Sequence, residues 1–162
     1  MSFGTGEHQT TKLVLQFLEK YISKDSLVLD VGSGTGVLAI ASVYLGAQKA
    51  IGIDNDEWCL LNGIENVKMN YFNDKVEIRL AEISKIEEKD FDLILANINK
   101  HILLEIAGNI SLKIKKTGKL ILSGLLLSDE TDILNLYSQF GFQLIERAEM
   151  GEWLALVFEV EN

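Results

Sequence analysis

Apolar positions along this chain follow two rhythms that take turns. Short runs dense in Val, Ile and Leu read as strands, and longer stretches with apolar residues every three or four positions read as helices. LVLDV (27–31) is a buried strand by that test, and VLAIASVYLG (37–46) a helix closed by Gly46 as its C-cap. KAIGID (49–54) is the next strand. From Glu57 to Asn70, the apolar residues Trp58, Leu61, Ile64 and Met69 recur near helical spacing and predict a second helix. KVEIRL (75–80) alternates as a strand does, and FDLILANI (91–98) is a continuous apolar strand. HILLEIAGNISLKIK (101–115) reads as a helix with Gly108 weakening its middle, GKLILSG (118–124) as a strand, and 128–140 as a helix ending at Gly141. FQLIERA (142–148) and WLALVFEV (153–160) are strands joined by EMGE as a hairpin turn. Ahead of all these, a first helix is expected to start at about Thr11.

Strands alternating with helices, the central strands apolar throughout, predict an α/β fold. It is a seven-stranded, mostly parallel sheet with an antiparallel last strand and helices on both faces. An open sheet of this kind holds its ligand at the carboxyl ends of the strands. The 162 residues fit one domain, and a hydrophobic fraction of 48% is enough to build its core.

Charge and rare residues narrow the partners. The net charge is −9, with 15 Lys and Arg against 24 Asp and Glu, so a direct nucleic-acid partner is not expected and a basic protein partner is favoured. One cysteine, Cys59, excludes an internal disulfide, and two histidines, His8 and His101, are too few for a structural zinc site, so no metal is expected. No apolar run reaches the length of a membrane span, and no signal sequence is evident. A cytoplasmic monomer is the expectation. The chain has no proline, which nothing here explains.

The first strand runs into LDVGSGTGVLAIA, placing Gly32, Gly34 and Gly36 between strand and helix. Glycines there let the backbone turn sharply and approach a ligand, beside the free N–H groups of a helix start. Gly32 and Gly34 fit the dinucleotide pattern G-x-G-x-x-G, but its third position is Val37 and the glycine stands at 36. Asp30 precedes the glycines, where a carboxylate would repel a pyrophosphate and attract a cation. It could equally cap the turn through backbone N–H groups. Asp54 ends the second strand, where an acid holds ribose hydroxyls; its bland role would be to cap the next helix. Glu82 follows the third strand and could accept from an adenine amino group, or simply be solvated.

With D-x-G-x-G-x-G after the first strand, an acid ending the second and a terminal antiparallel hairpin, the chain resembles the class I S-adenosylmethionine-dependent methyltransferases, which have a Rossmann-like fold. FGTGEHQTT before the first strand and ANIN ending the fourth make it similar to the family that methylates ribosomal protein L11. The resemblance covers nearly the whole chain. It implies S-adenosylmethionine as cofactor and methyl transfer to amino groups, on lysine side chains or an N-terminal amine, of ribosomal protein L11. It implies that Phe3, Gly4, Thr5 and Gly6 form a lid within residues 1–11, and that Thr10 and Thr11 are the family's threonine pair. Thr11, Gly32, Asp54 and Asn97 would touch the cofactor, and Asn97 would orient the amine or the cofactor. The family's N-terminal substrate-recognition domain is expected to be absent, leaving a single catalytic domain over 1–162. Other readings remain: a methyltransferase of this fold with another target, a cofactor-binding module inactive without its missing domain, or an NADH-binding oxidoreductase, which Val37 disfavours.

Four further residues carry weaker expectations. His8 could move a proton but reads better as a hydrogen-bonded loop residue. His101 falls in a first helical turn with no special role, and Cys59 reads as core. Trp58 is either core or a wall of the adenine site, and Trp153 a packing residue.

Overall fold

The computed structural model describes residues 9–161. Helix α1 (Gln9–Tyr21) leads into β1 (Leu27–Val31), then α2 (Val37–Tyr44), β2 (Lys49–Asp54), α3 (Glu57–Met69) and β3 (Val76–Leu80). β4 (Phe91–Asn97), α4 (Lys100–Lys113), β5 (Ile114–Leu126), α5 (Glu130–Gln139), β6 (Phe142–Met150) and β7 (Trp153–Val160) complete it. Short 3₁₀ turns lie at Ile83–Lys85 and Leu127–Asp129. The seven strands form one sheet in the order β3-β2-β1-β4-β5-β7-β6. β1 pairs in parallel with both β2 and β4, and β7 runs antiparallel between β5 and β6.

The seven-stranded, mostly parallel sheet with its antiparallel last strand is therefore present. Alternate residues of each central strand feed two cores. Val28, Leu93, Leu95 and Ile121 pack under α1 and α2 through Leu13, Phe17, Leu38 and Val43. Leu29, Ile51, Ile94 and Leu122 pack on the other face under α4 and α5, through Leu103, Ala107, Ile133 and Tyr137. Strands buried on both faces have to be apolar throughout, which is why their periodicity vanishes while their composition stays clear.

Three local expectations are corrected. The α3 stripe that marked the helix faces solvent: Trp58 is 58% exposed, Leu61 62% and Met69 68%. The helix instead buries Cys59, Gly63 and Val67, because a Cβ on Gly63 would already meet Ile78 Cγ2 at 3.1 Å. Close packing on small residues excludes the large ones. Next, α4 stops at Lys113 and the chain turns directly into β5 at Ile114, four residues earlier than the pattern suggested. The register there breaks between Phe91 and Leu93, and Gly118 admits the break, since a Cβ on it would lie 2.9 Å from Phe91 O. Finally, α1 begins at Gln9, so residues 9–11 are helical rather than part of a loop. Phe3, Gly4, Thr5, Gly6 and His8 lie outside the described residues.

The strand order reverses at β1, where β2 departs to one side and β4 to the other. That reversal opens a crevice at the carboxyl ends of β1, β2 and β4.

Candidate active site

β1 turns into α2 through five residues, Gly32 to Gly36. Gly32, Gly34 and Gly36 have φ of +72°, +54° and +83°, a region that side chains disfavour. Gly32 also lacks space: a Cβ there would meet Ile98 Cγ2 at 2.4 Å. The turn is tied to β2 by its amides. Gly32 and Ser33 N–H both donate to Ile53 O, at 2.8 and 2.9 Å. Gly34 N–H donates to Asp54 Oδ2 at 2.9 Å, and Asp56 N–H to Asp54 Oδ1 at 3.0 Å. Helix α2 starts at Gly36 without a side-chain cap.

Asp54 does not cap α3. Asp56 does, its carboxylate accepting from Trp58 N–H at 2.9 Å. Asp54 is therefore left at the tip of β2, oriented by two amides, with further acceptor capacity on each oxygen. It lines a cavity of about 660 Å³, within the range of small-molecule sites. Gly32 and Gly34 lie at one end of this cavity, Glu82 and Ile83 at another, and Asn97 and Ile98 at the tip of β4. Its charged lining is entirely acidic among the described residues: Asp54, Asp56, Glu82 and Glu105.

Asn97 is 3% exposed. Its Nδ2 donates to Thr11 Oγ1 at 3.4 Å, and its Oδ1 is buried without a partner among the described residues. Thr10 and Thr11 are themselves fully buried, and Ser123 Oγ donates to Thr10 O at 3.4 Å. Helix α1 is thereby fixed to the tips of β4 and β5. Thr11 reaches the cavity through Asn97 and does not line it.

Asp30 lies one residue before the glycine turn and is 1% exposed. Among the described residues neither carboxylate oxygen makes a full hydrogen bond, and the Ala39 N–H of α2 is the backbone donor that acts on it. Burial, and then the Asp54 carboxylate, push its pKa up to about 8, and the Ala39 amide offsets this only in part. Asp30 does not line the cavity, although its neighbours Val31 and Gly32 do.

The model of the family described as ribosomal protein L11 methyltransferase matches residues 1–161. The chain belongs to the ribosomal protein L11 methyltransferase family. A ribosomal protein L11 methyltransferase from Ruminiclostridium cellulolyticum is 38% identical over 161 residues, covering 98% of this chain and 51% of the relative. The chain thus spans about half the length of that relative. The crystal structure of a ribosomal protein L11 methylase from Lactobacillus delbrueckii subsp. bulgaricus superposes with a TM-score of 0.92 at 29% identity, covering 97% of this chain and 81% of that one. A TehB-like SAM-dependent methyltransferase from Corynebacterium glutamicum shares the fold at a TM-score of 0.72 and 17% identity, covering 91% and 86%. The fold is that of the class I S-adenosylmethionine methyltransferases.

Within this L11 methyltransferase family member, Gly32, Gly34, Asp54, Glu82 and Asn97 come together around one cavity. Three contributors went unread in the sequence. Ile98 covers Gly32, and Ile102 and Ile106 of α4 form an apolar wall. In the sequence these are ordinary aliphatic residues, and only the path of α4 sets them apart. Cys59 is buried, as expected, yet it also lines the cavity, where burial and the nearby Asp54 and Asp56 carboxylates raise its thiol pKa. Trp58 is neither core nor cavity wall. His101 is an exposed first-turn residue of α4 whose Nε2 lies 3.0 Å from Glu105 Oε1. No helix among the described residues is long and apolar enough to cross a membrane.

Proposed function

We propose that this chain is a catalytic domain that binds S-adenosylmethionine and transfers its methyl group to amino groups of ribosomal protein L11. One observation carries the reading: the cavity at the sheet's reversal is lined by Gly32, which has no room for a Cβ, and by Gly34, and among the described residues its charged lining is carboxylates alone. A dinucleotide pyrophosphate would meet repulsion there, whereas a ligand bearing an ammonium and a sulfonium would be attracted.

Gly32 and Gly34 would let the ligand lie against the main chain, and Asp54 would accept from ribose hydroxyls, its carboxylate pre-oriented by two amides. Glu82 would face the adenine amino group. When bound, the cofactor supplies a methyl group already activated for transfer. The protein's part is to bring in a neutral amine, align its lone pair and exclude water. Asn97 would accept an N–H from that amine through Oδ1, a reading supported by that oxygen's being buried without a partner among the described residues. Thr11 fixes the Asn97 amide by accepting from Nδ2, which leaves Oδ1 as the acceptor still to be used. With no general base assigned, the proton lost by the amine passes to solvent.

The test is the intact mass of ribosomal protein L11 after incubation with this chain and S-adenosylmethionine. Mass increments of one methyl group or multiples of it are the expected outcome. Tight cofactor binding with an unchanged mass would favour the second reading, a module that needs the rest of a longer protein; the chain's coverage of about half its relative keeps that reading in play.

A further inference from the structure

One wall of the cavity, made by Ala81, Glu82, Ile83 and Ser84, belongs to the crossover from β3 to β4. Residues 81–90 contain no strand, and their only regular element is the 3₁₀ turn at Ile83–Lys85. No sheet ladder therefore fixes this wall, and the exposed Glu82 side chain takes its place from its main chain. Three ties hold the segment. On the near side Ala81 N–H donates to Asp54 O at 2.9 Å, so the wall hangs from the tip of β2. On the far side Lys113, at the end of α4, donates through Nζ to Ile86 O at 2.6 Å. Beyond it Arg79 of β3 reaches across the base of the crossover to Glu88. Its Nη1 donates to Oε1 at 2.7 Å, and its Nη2 donates to Oε2.

The Arg79–Glu88 pair closes the loop 80–87. It is bidentate and part-buried, and hydrogen bonding from Arg79 holds the Glu88 carboxyl well below the ordinary carboxylate range. Arg79 is itself steadied by donating through Nε to Glu77, two residues back on the same strand. Inside the loop, Ile83 and Ile86 are buried in the core that α4 covers. Neither Arg79 nor Lys113 lines the cavity, so each acts on it only through the segment it holds.

We propose that Arg79 and Lys113 are positioning residues that make the site select adenine over a 6-oxopurine. The proposal deepens the methyltransferase reading and rests on it. Held at both ends, the wall fixes where Glu82 meets the base. A carboxylate there accepts from a 6-amino group and repels a 6-oxo group, which presents only lone pairs to it. A wall free to shift would let Glu82 turn to the N1–H that a 6-oxopurine carries, or to water, and the preference would fade.

Affinities for S-adenosylhomocysteine and S-inosylhomocysteine, which differ at the purine 6-position, are measured by calorimetry on the whole chain. The wild type should prefer the adenosyl ligand at least about tenfold. Arg79→Met should bring that ratio down to about threefold or less, and Lys113→Met should lower it by a smaller factor, its tie being a single bond. Arg79→Lys, which keeps the charge without the fork, should fall between wild type and Arg79→Met. Arg147→Met, which breaks a bidentate pair with Glu130 instead, should leave the ratio alone. In a Glu82→Gln background Arg79→Met should no longer change the ratio, a result that a merely structural role would not produce. A wild-type ratio in Arg79→Met or Lys113→Met, or an Arg79→Met effect that persists in Glu82→Gln, would overturn the proposal. Equal wild-type affinity for the two ligands would overturn it too, with the methyltransferase reading intact. A wild type that binds neither ligand would instead remove that reading, and the proposal with it.

Discussion

Two strand-to-helix turns sit side by side at the carboxyl edge, and they are built in opposite ways. The β1–α2 turn contains three glycines with positive φ, and its helix starts without a side-chain cap. The β4–α4 turn, Asn97-Ile98-Asn99, has no glycine, and Asn99 caps its helix by accepting from Ile102 N–H at 3.1 Å. The first turn leaves main-chain surface for a ligand. The second satisfies its own main chain and offers side chains. Under the proposed function, a cofactor to be held closely and an amine to be aimed would call for these two solutions.

The difference can be broken from either side. The largest effect is expected at Gly32→Ala, which forces a side chain into positive φ and onto Ile98. It should abolish measurable cofactor binding and cost about 3 kcal/mol of stability, read by calorimetry and urea unfolding. Asp54→Ala should weaken the cofactor by a few kcal/mol, through lost hydroxyl acceptors and the two released amides. Unchanged affinity would remove Asp54 from the site.

Asp30→Asn acts on the first turn through pH. Asp30's folded-state pKa, about 8, stands above its ordinary value of 3.8. The folded state therefore holds the proton more tightly than the unfolded one, and stability falls as pH rises between those values. Without cofactor, Asp30→Asn should match wild type near pH 4. It should then gain on wild type by up to about 1.4 kcal/mol per pH unit toward pH 8. A pH-independent difference between the two proteins would show that Asp30 is compensated in some other way. The smallest effect belongs to the second turn: Asn99→Ala should cost about 1 kcal/mol of stability and leave cofactor affinity alone.

The sequence was most readable where one physical constraint dominates. β1, β2 and β7 have the bounds that their apolar runs marked, because a strand covered on both faces tolerates little else. The glycine turn and Asp54 were readable because backbone geometry and a strand tip restrict the residue choice. The α3 face was not, because Gly63 and Ile78 decide it by fit, and a hydrophobic period carries no record of which side is close-packed. Nor was the deep burial of Asp30, since a carboxylate's enclosure is a property of three dimensions. The α4 wall of the cavity escaped for a similar reason: Ile102 and Ile106 look like any helix face until the crossover from β4 brings them over the crevice.

The antiparallel course of β7 has a practical consequence. Trp153 starts that strand at the carboxyl edge, and Val160 ends it at the opposite edge, paired with Phe142, while Glu161 N–H donates to Gly141 O at 2.7 Å. Helix α1 begins near the hairpin at the first edge, where Gln9 approaches Gly151. An affinity tag, fluorophore or surface tether attached after residue 162 would hang from the side away from the cavity. The edge where Val160 lies is therefore the one by which to hold the protein.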